Sequence, residues 1–296
     1  MRKFFQYSLV FIVSVVIMVS CRKGSVQLPT NGNGGGDEID PPVVEVPQIP
    51  ETDPAVLTAQ KHKISENILG YYSALPAHYS ESDHKYPLMI FFHGGGQYGN
   101  GDSDLVKVLA AGVPKLLNNK TFPPMFNVDG ENFSFIVMAP QLKRFIQSDE
   151  VDQLLKYSVA NYRVDTSRIY LVGFSLGAQQ LCNYAGDYPG TIAALTAMAG
   201  VPYIDDSLEA KCQRMVNTNL PIWHFHNLDD QAWPYTESVK WNDVLNSYNP
   251  SIPPRFTTFQ VGEGKSNHDC WTRTMDPNYK ESDSVNIYEW MLAYKR

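Results

Sequence analysis

From about residue 55 onward, short apolar runs alternate with longer amphipathic stretches, the rhythm of buried parallel strands covered by helices. YPLMIFFHGGG (86–96) reads as an apolar strand broken by three glycines, and FSFIVMAPQ (133–141) as another ended by Pro140. Between them, DLVKVLAAGVPKLLNN (104–119) has helical spacing, interrupted at Gly112 to Pro114. SDEVDQLLKYSVANY (148–162) opens with a serine followed by acids, a good helix N-terminus. DTSRIYLVGFSLGAQQLCNYAG (165–186) then reads as strand, tight glycine turn and helix. LPIWHFHN (220–227) is a later strand, and SVNIYEWMLAYKR (284–296) a closing amphipathic helix. The expectation is a single α/β domain with a mainly parallel central sheet flanked by helices.

The first 54 residues break this rhythm. Arg2 and Lys3 precede FFQYSLVFIVSVVIMVS, an apolar run that ends in small residues just before Cys21, which is secretory-signal architecture. It resembles a bacterial lipoprotein signal, with MVSC as the lipobox and Met18 where leucine is commoner. A plain membrane span with an incidental cysteine is the alternative, since the run nears bilayer length. Residues 22–54 are glycine-rich, then acidic, then proline-rich, a composition that buries no core and acts as a tether. The expected organisation is a signal peptide over 1–20, a tether over 21–54 carrying lipid on Cys21, and the folded domain over 55–296. Such a chain sits at the bacterial cell envelope as a membrane-anchored lipoprotein, facing the periplasm or the cell surface.

Charge narrows the partners. Lys and Arg number 24 against 31 Asp and Glu, a net charge of -7 spread without long like-charge blocks, so no nucleic-acid footprint is present. Beyond Cys21 the cysteines are Cys182, Cys212 and Cys270, which allow at most one intramolecular disulfide. No CxxC pair points to zinc, and His224 and His226, on one face of a strand, lack a third ligand nearby.

The candidate chemistry centres on GFSLG (173–177), a GxSxG elbow set between the apolar RIYLV and the helical AQQLCNYA. Flanking glycines permit the strained turn that lifts a serine hydroxyl above a sheet, so Ser175 is the candidate nucleophile. Such a fold requires an acid and then a histidine further along the chain. Of the histidines after Ser175, His224 and His226 lie inside a predicted strand, whereas His268 follows the best acids in GEGKSNHDCW. His268 is therefore the candidate general base. Asp229 and Asp230 both stand just beyond the strand LPIWHFHN, and either could orient the imidazole. HGGG at 93–96 and the N–H of Leu176 are candidate oxyanion donors.

These segments together resemble the α/β-hydrolase esterases of the feruloyl-esterase and polyhydroxybutyrate-depolymerase type, including bacterial carboxylesterase-family lipoproteins described as predicted peptidases. The resemblance rests on YYSALPAHY, KYPLMIFFHGGGQYGNG, AGVPKLL, FIVMAPQ, YRVDTSRIYLVGFSLGA, LPIWHFHNLDDQAWP and NHDCWTRTMDPN, in that order. It covers nearly all of 65–296. It implies that the acid is Asp230, four residues after the histidine of an HGxxD segment, and that an HxxW segment supplies His268 and Trp271. Asn227 departs from the glycine usual in that segment, and Ala178 and Gln179 stand where a second glycine often tightens the helix start.

The reading that follows is a cofactor-free serine esterase: Ser175 attacks an ester carbonyl, His268 shuttles protons, Asp230 orients it, and Gly95 with Leu176 holds the oxyanion. Gly96, Gln97, Trp233 and Trp271 are the candidate pocket residues, and Trp223 reads as core or rim. The resemblance implies feruloyl or acetyl esters on plant cell-wall polysaccharide. A prolyl-oligopeptidase-like serine peptidase and an inactive glycan-binding surface lipoprotein are the alternatives.

Overall fold

The structure, a computed structural model, describes residues 50–81, 83–203, 205–260 and 266–296. The expected signal peptide, the expected lipidation of Cys21 and the expected tether up to residue 49 lie outside the described residues.

Among the described residues ten strands form: β1 (Val56–Gln60), β2 (Ile68–Leu75), β3 (Tyr86–Phe92), β4 (Phe126–Val128), β5 (Glu131–Phe133), β6 (Ile136–Leu142), β7 (Val164–Phe174), β8 (Ala194–Met198), β9 (Ile222–Asn227) and β10 (Arg255–Phe259). Eight of them make one sheet in the order β1-β2-β6-β3-β7-β8-β9-β10, and β4 with β5 makes a separate hairpin. Strands β6, β3, β7, β8, β9 and β10 run parallel, and β1 and β2 close one edge antiparallel. The α-helices of the described residues are α1 (Gly112–Asn118), α2 (Ser148–Asn161), α3 (Leu176–Asp187), α4 (Asp206–Asn217), α5 (Tyr235–Ser247), α6 (Trp271–Thr274) and α7 (Ile287–Leu292).

Central strands read as unbroken apolar runs because both their faces are covered. Leu88, Ile90 and Phe92 of β3 join Leu171 of β7 in one core, with Leu154 of α2, Leu181 of α3 and Trp241 of α5. Met89 and Phe91 point the other way, with Val172 of β7, against Val113 of α1 and Tyr288 of α7. Successive strand side chains face opposite layers, so the two cores sandwich the sheet.

Two local expectations change. Pro140 does not end its strand: β6 continues to Leu142, and the ladder to β3 stops at Met138, so the proline's missing N–H breaks no bond on that side. Helix α2 starts at Ser148, where the sequence places a helix N-terminus, and the Ser148 hydroxyl donates to Asp187. Glu51 falls inside the stretch read as tether, yet it is only 5% exposed and accepts from the His78 N–H and the Tyr86 hydroxyl. The folded unit therefore takes in residues before 55. Among the described residues, Cys182, Cys212 and Cys270 are buried free thiols, and no helix is long and apolar enough to cross a membrane.

Helix α5 packs along β9 through a spacing match. Ser238 and Asn242, one helical turn apart, meet His226 and His224, which are two strand residues apart. One turn of helix (5.4 Å) and two strand residues (about 6.6 Å) are nearly commensurate. His224 lies flat on Phe256, with ring centroids 4.1 Å apart, and burial pulls its pKa down to about 3. An unfolded histidine titrates near 6.5, so between these values the unfolded chain binds the extra proton and stability falls as pH falls. We predict that His224→Phe removes a share of acid sensitivity on the order of 2 kcal/mol between pH 7 and 4.5. Urea denaturation of both proteins at the two pH values measures it.

Candidate active site

The site gathers at the C-terminal ends of β3, β7 and β9, the edge where open parallel sheets present loops to ligands. Ser175 occupies a single residue between β7 and α3 with φ 53° and ψ -130°. A non-glycine residue there is strained by about 1–3 kcal/mol and must be held by its surroundings. Its N–H donates to Met198 O at 2.8 Å, bonding the turn to the end of β8. Gly177 is required by contact: a Cβ there would sit 2.5 Å from the carbonyl oxygens of Phe92 and His93. The glycine thus lets α3 start directly against the end of β3.

Three side chains from three segments then line up. His268 Nε2 is 3.0 Å from Ser175 Oγ, and His268 Nδ1 is 2.7 Å from Asp230 Oδ2. A carboxylate only accepts, so Nδ1 carries the proton and Nε2 presents its lone pair to the serine hydroxyl. Of the two neighbouring acids, Asp230 meets the imidazole. The side chain of Asp230 is fully buried, while His268 retains 17% exposure. Burial alone pushes the Asp230 carboxyl up, but donation from His226, His268 and the Trp233 N–H outweighs it and holds the group well below the usual carboxylate range.

The glycine run lies beside the nucleophile. A Cβ on Gly94 would come 3.3 Å from Ser175 Cβ, and one on Gly95 would meet Leu176 Cδ1 at 2.9 Å. Among the described residues no backbone carbonyl takes the N–H of Gly95 or of Leu176, the latter being an unspent donor of the first turn of α3. His93 does not face the serine. Its Nδ1–H donates to Gly94 O at 2.7 Å and its Nε2 accepts from Leu142 N–H at 2.9 Å. Burial holds its pKa down to about 4, which keeps it in this neutral, two-ended role. Gln141 pins the following loop, donating to Gln97 O and Asp104 O and accepting from Gly101 N–H.

The pocket residues divide. Gln97 and Trp271 line an open cleft of about 320 Å³ together with Ala111, Lys115, Leu116 and Met275. Trp271 also clamps the site: it stacks on Phe174 at 4.4 Å and meets His268 edge-on at 5.1 Å. Gly96 is exposed, with open space where a side chain would project. Trp233 is not part of that cleft. It stacks on Tyr203, itself 52% exposed, and its indole N–H donates to Val201 O. Trp223, read as core or rim, is core.

Comparison with known proteins fits this geometry. Residues 76–277 match the family model described as phospholipase/carboxylesterase. The chain belongs to that family. Its domain has the α/β-hydrolase fold and is a serine hydrolase. Over 50 residues it is 40% identical to feruloyl esterase B of Talaromyces funiculosus, a match spanning 17% of this chain and 14% of that protein. Among solved structures, a thermostable esterase superposes with a TM-score of 0.56 at 20% identity, covering 82% of this chain and 63% of the other. A ferulic acid esterase superposes at 0.50 with 15% identity, covering 71% and 92%.

The departure from the family pattern at Asn227 turns out to be structural. Its buried Nδ2 donates to Asn267 O at 2.7 Å, and Asn267 Nδ2 donates to Asp229 O at 2.9 Å. This pair ties the loop bearing the acid to the loop bearing His268. Sequence reading noted the missing glycine but had no means of pairing residues 40 positions apart. Restoring glycine removes one arm of the clamp. Asn227→Gly is expected to lose about 1–2 kcal/mol of stability and to lower kcat for an activated aryl acetate several-fold, checked by urea denaturation and steady-state kinetics.

Proposed function

We propose that this chain hydrolyses carboxylic esters by acyl transfer, with Ser175 as nucleophile, His268 as general base and acid, and Asp230 as the group that orients it. The observation that carries the reading is the unbroken hydrogen-bonded line from the strained Ser175 through His268 to the buried Asp230. Ser175 Oγ bonds to the ester carbon as its proton passes to His268 Nε2, and the carbonyl oxygen becomes an anion facing the N–H groups of Gly95 and Leu176. Collapse breaks the bond to the alcohol, which leaves with the proton from His268. Water then repeats the sequence on the acyl-enzyme and releases the acid. No organic cofactor or metal takes part.

The acyl groups we propose are feruloyl or acetyl, carried on plant cell-wall polysaccharide. The cleft beside His268, with Trp271, Leu116 and Met275 as apolar wall, has room for a flat aromatic acid as well as for acetate. The likeness to a fungal feruloyl esterase over 50 residues supports the same choice. A lipid on Cys21 would hold the domain at the cell envelope, facing outward onto such material; retention of a radiolabelled acyl chain by the wild type and its absence in Cys21→Ser tests that anchor.

The decisive assay incubates feruloylated, acetylated arabinoxylan with the purified full chain and resolves the released acids by chromatography. Wild-type protein is expected to release hydroxycinnamate or acetate, and Ser175→Ala to lose at least ~10⁴-fold of that rate. Equal release by both proteins would remove Ser175 from the chemistry. Binding of the polymer without release by either protein would favour the glycan-binding alternative.

A further inference from the structure

Asp230 is held by more than the triad. Its Oδ1 accepts the backbone N–H groups of Ala232 at 2.8 Å and Trp233 at 2.9 Å. Its Oδ2 faces two imidazoles: His268 Nδ1 at 2.7 Å and His226 Nε2 at 3.1 Å. A carboxylate offers about four acceptor positions, and here four donor groups lie within reach, the His226 N–H being shared with Trp233 O.

The protonation of His226 follows from its partners. Its Nε2 lies within reach of two groups that only accept, Asp230 Oδ2 and Trp233 O at 3.0 Å, so Nε2 carries the proton. Its Nδ1 stands 2.7 Å from Ser238 Oγ, which in the neutral ring donates its hydroxyl to that nitrogen. Both side chains are fully buried, and the ring is fixed from β9, from α5 and from the acid loop at once. With every nitrogen occupied, His226 has no lone pair left for the metal role considered from its spacing with His224.

We propose that His226 is a positioning residue of the esterase: it holds Asp230 Oδ2 at the angle that directs it to His268 Nδ1, and Ser238 holds His226 in the tautomer able to do so. The assignment rests on the triad reading above. Buried carboxylates missing one donor either rotate or become more basic. Without His226, Asp230 loses one of the two restraints on Oδ2, and its remaining charge leans more heavily on His268.

The titratable groups facing Asp230 are His226, His268 and the Cys270 thiol, which burial keeps protonated. The acidic limb of kcat/KM therefore reports His268 against Asp230. A more basic Asp230 stabilises the His268 cation, so loss of the His226 donor moves that limb to higher pH.

The test compares wild type, His226→Leu, His226→Gln, Ser238→Ala and Ser175→Ala on an activated aryl acetate. Rates of the variants that keep Ser175 are divided by the active-site fraction titrated with a fluorophosphonate, which discounts misfolded protein; Ser175→Ala, which has no hydroxyl to label, is compared per total protein. His226→Leu is expected to lower kcat about 10-fold with KM nearly unchanged, and to move the acidic limb up by about 0.3–0.5 pH unit. His226→Gln, which keeps an N–H donor on a side chain of similar reach, should recover most of both effects. Ser238→Ala should show the same limb shift with a loss of only about 2–5-fold, and it carries the test if His226→Leu yields no labelled enzyme. An unmoved limb in both His226→Leu and Ser238→Ala, or wild-type kcat in His226→Leu, overturns the assignment to His226. Full activity in Ser175→Ala would instead overturn the triad itself.

Discussion

The structure turns on one strained residue. Ser175 keeps a backbone conformation that a serine avoids, and the chain supplies the restraints around it: the bond to Met198 O, the missing side chain at Gly177, and Gly200, where a Cβ would come within 2.0 Å of Ser175 O. Each acts from a different element, namely β8, α3 and the loop after β8. Relaxing the strain would require moving an eight-stranded sheet. The hydroxyl is thereby fixed before any substrate arrives, the condition under which a nucleophile gains from preorganisation.

Around it, buried polar side chains act as rivets between loops that have no regular structure of their own. His93 fastens the glycine run to the end of β6, Gln141 fastens the loop that follows, and Gln180 of α3 accepts from Ile146 N–H while donating to Leu176 O. The Asn227 and Asn267 pair fastens acid loop to base loop. His93, Gln141 and Gln180 are each satisfied at more than one atom, which is what makes burying them tolerable. The result is a site whose irregular backbone is positioned nearly as firmly as the strands beneath it.

The apolar layers serve the same end less directly. Two cores on opposite faces of the sheet fix the relative height of β3, β7 and β9, and the chemistry occupies the ends of those strands. Trp271 joins core to chemistry, with its face on Phe174 and its edge toward His268. An aromatic ring suits this place because its large flat surface aligns two segments at once.

Much of this was written locally. Apolar runs bounded by glycine and proline marked β3, β6, β7 and β9, and the GxSxG context marked Ser175, because strand period, turn chemistry and helix start are all properties of neighbouring residues. His268 emerged by elimination among few histidines. The choice of Asp230 over its neighbour was different: one residue of displacement along a loop leaves no trace in composition, and the resemblance to known esterases had to supply it. Only the fold showed that Glu51 belongs to the domain, that Trp233 lies away from the cleft, and that His226 shares the acid with His268. Those facts depend on contacts between residues from 4 to 38 positions apart, whose distances are set by how separate elements and loops pack. The sequence by itself determined which groups could do chemistry; the tertiary structure decided which of them meet, because hydrogen bonds act over about 3 Å and chain order does not fix such distances.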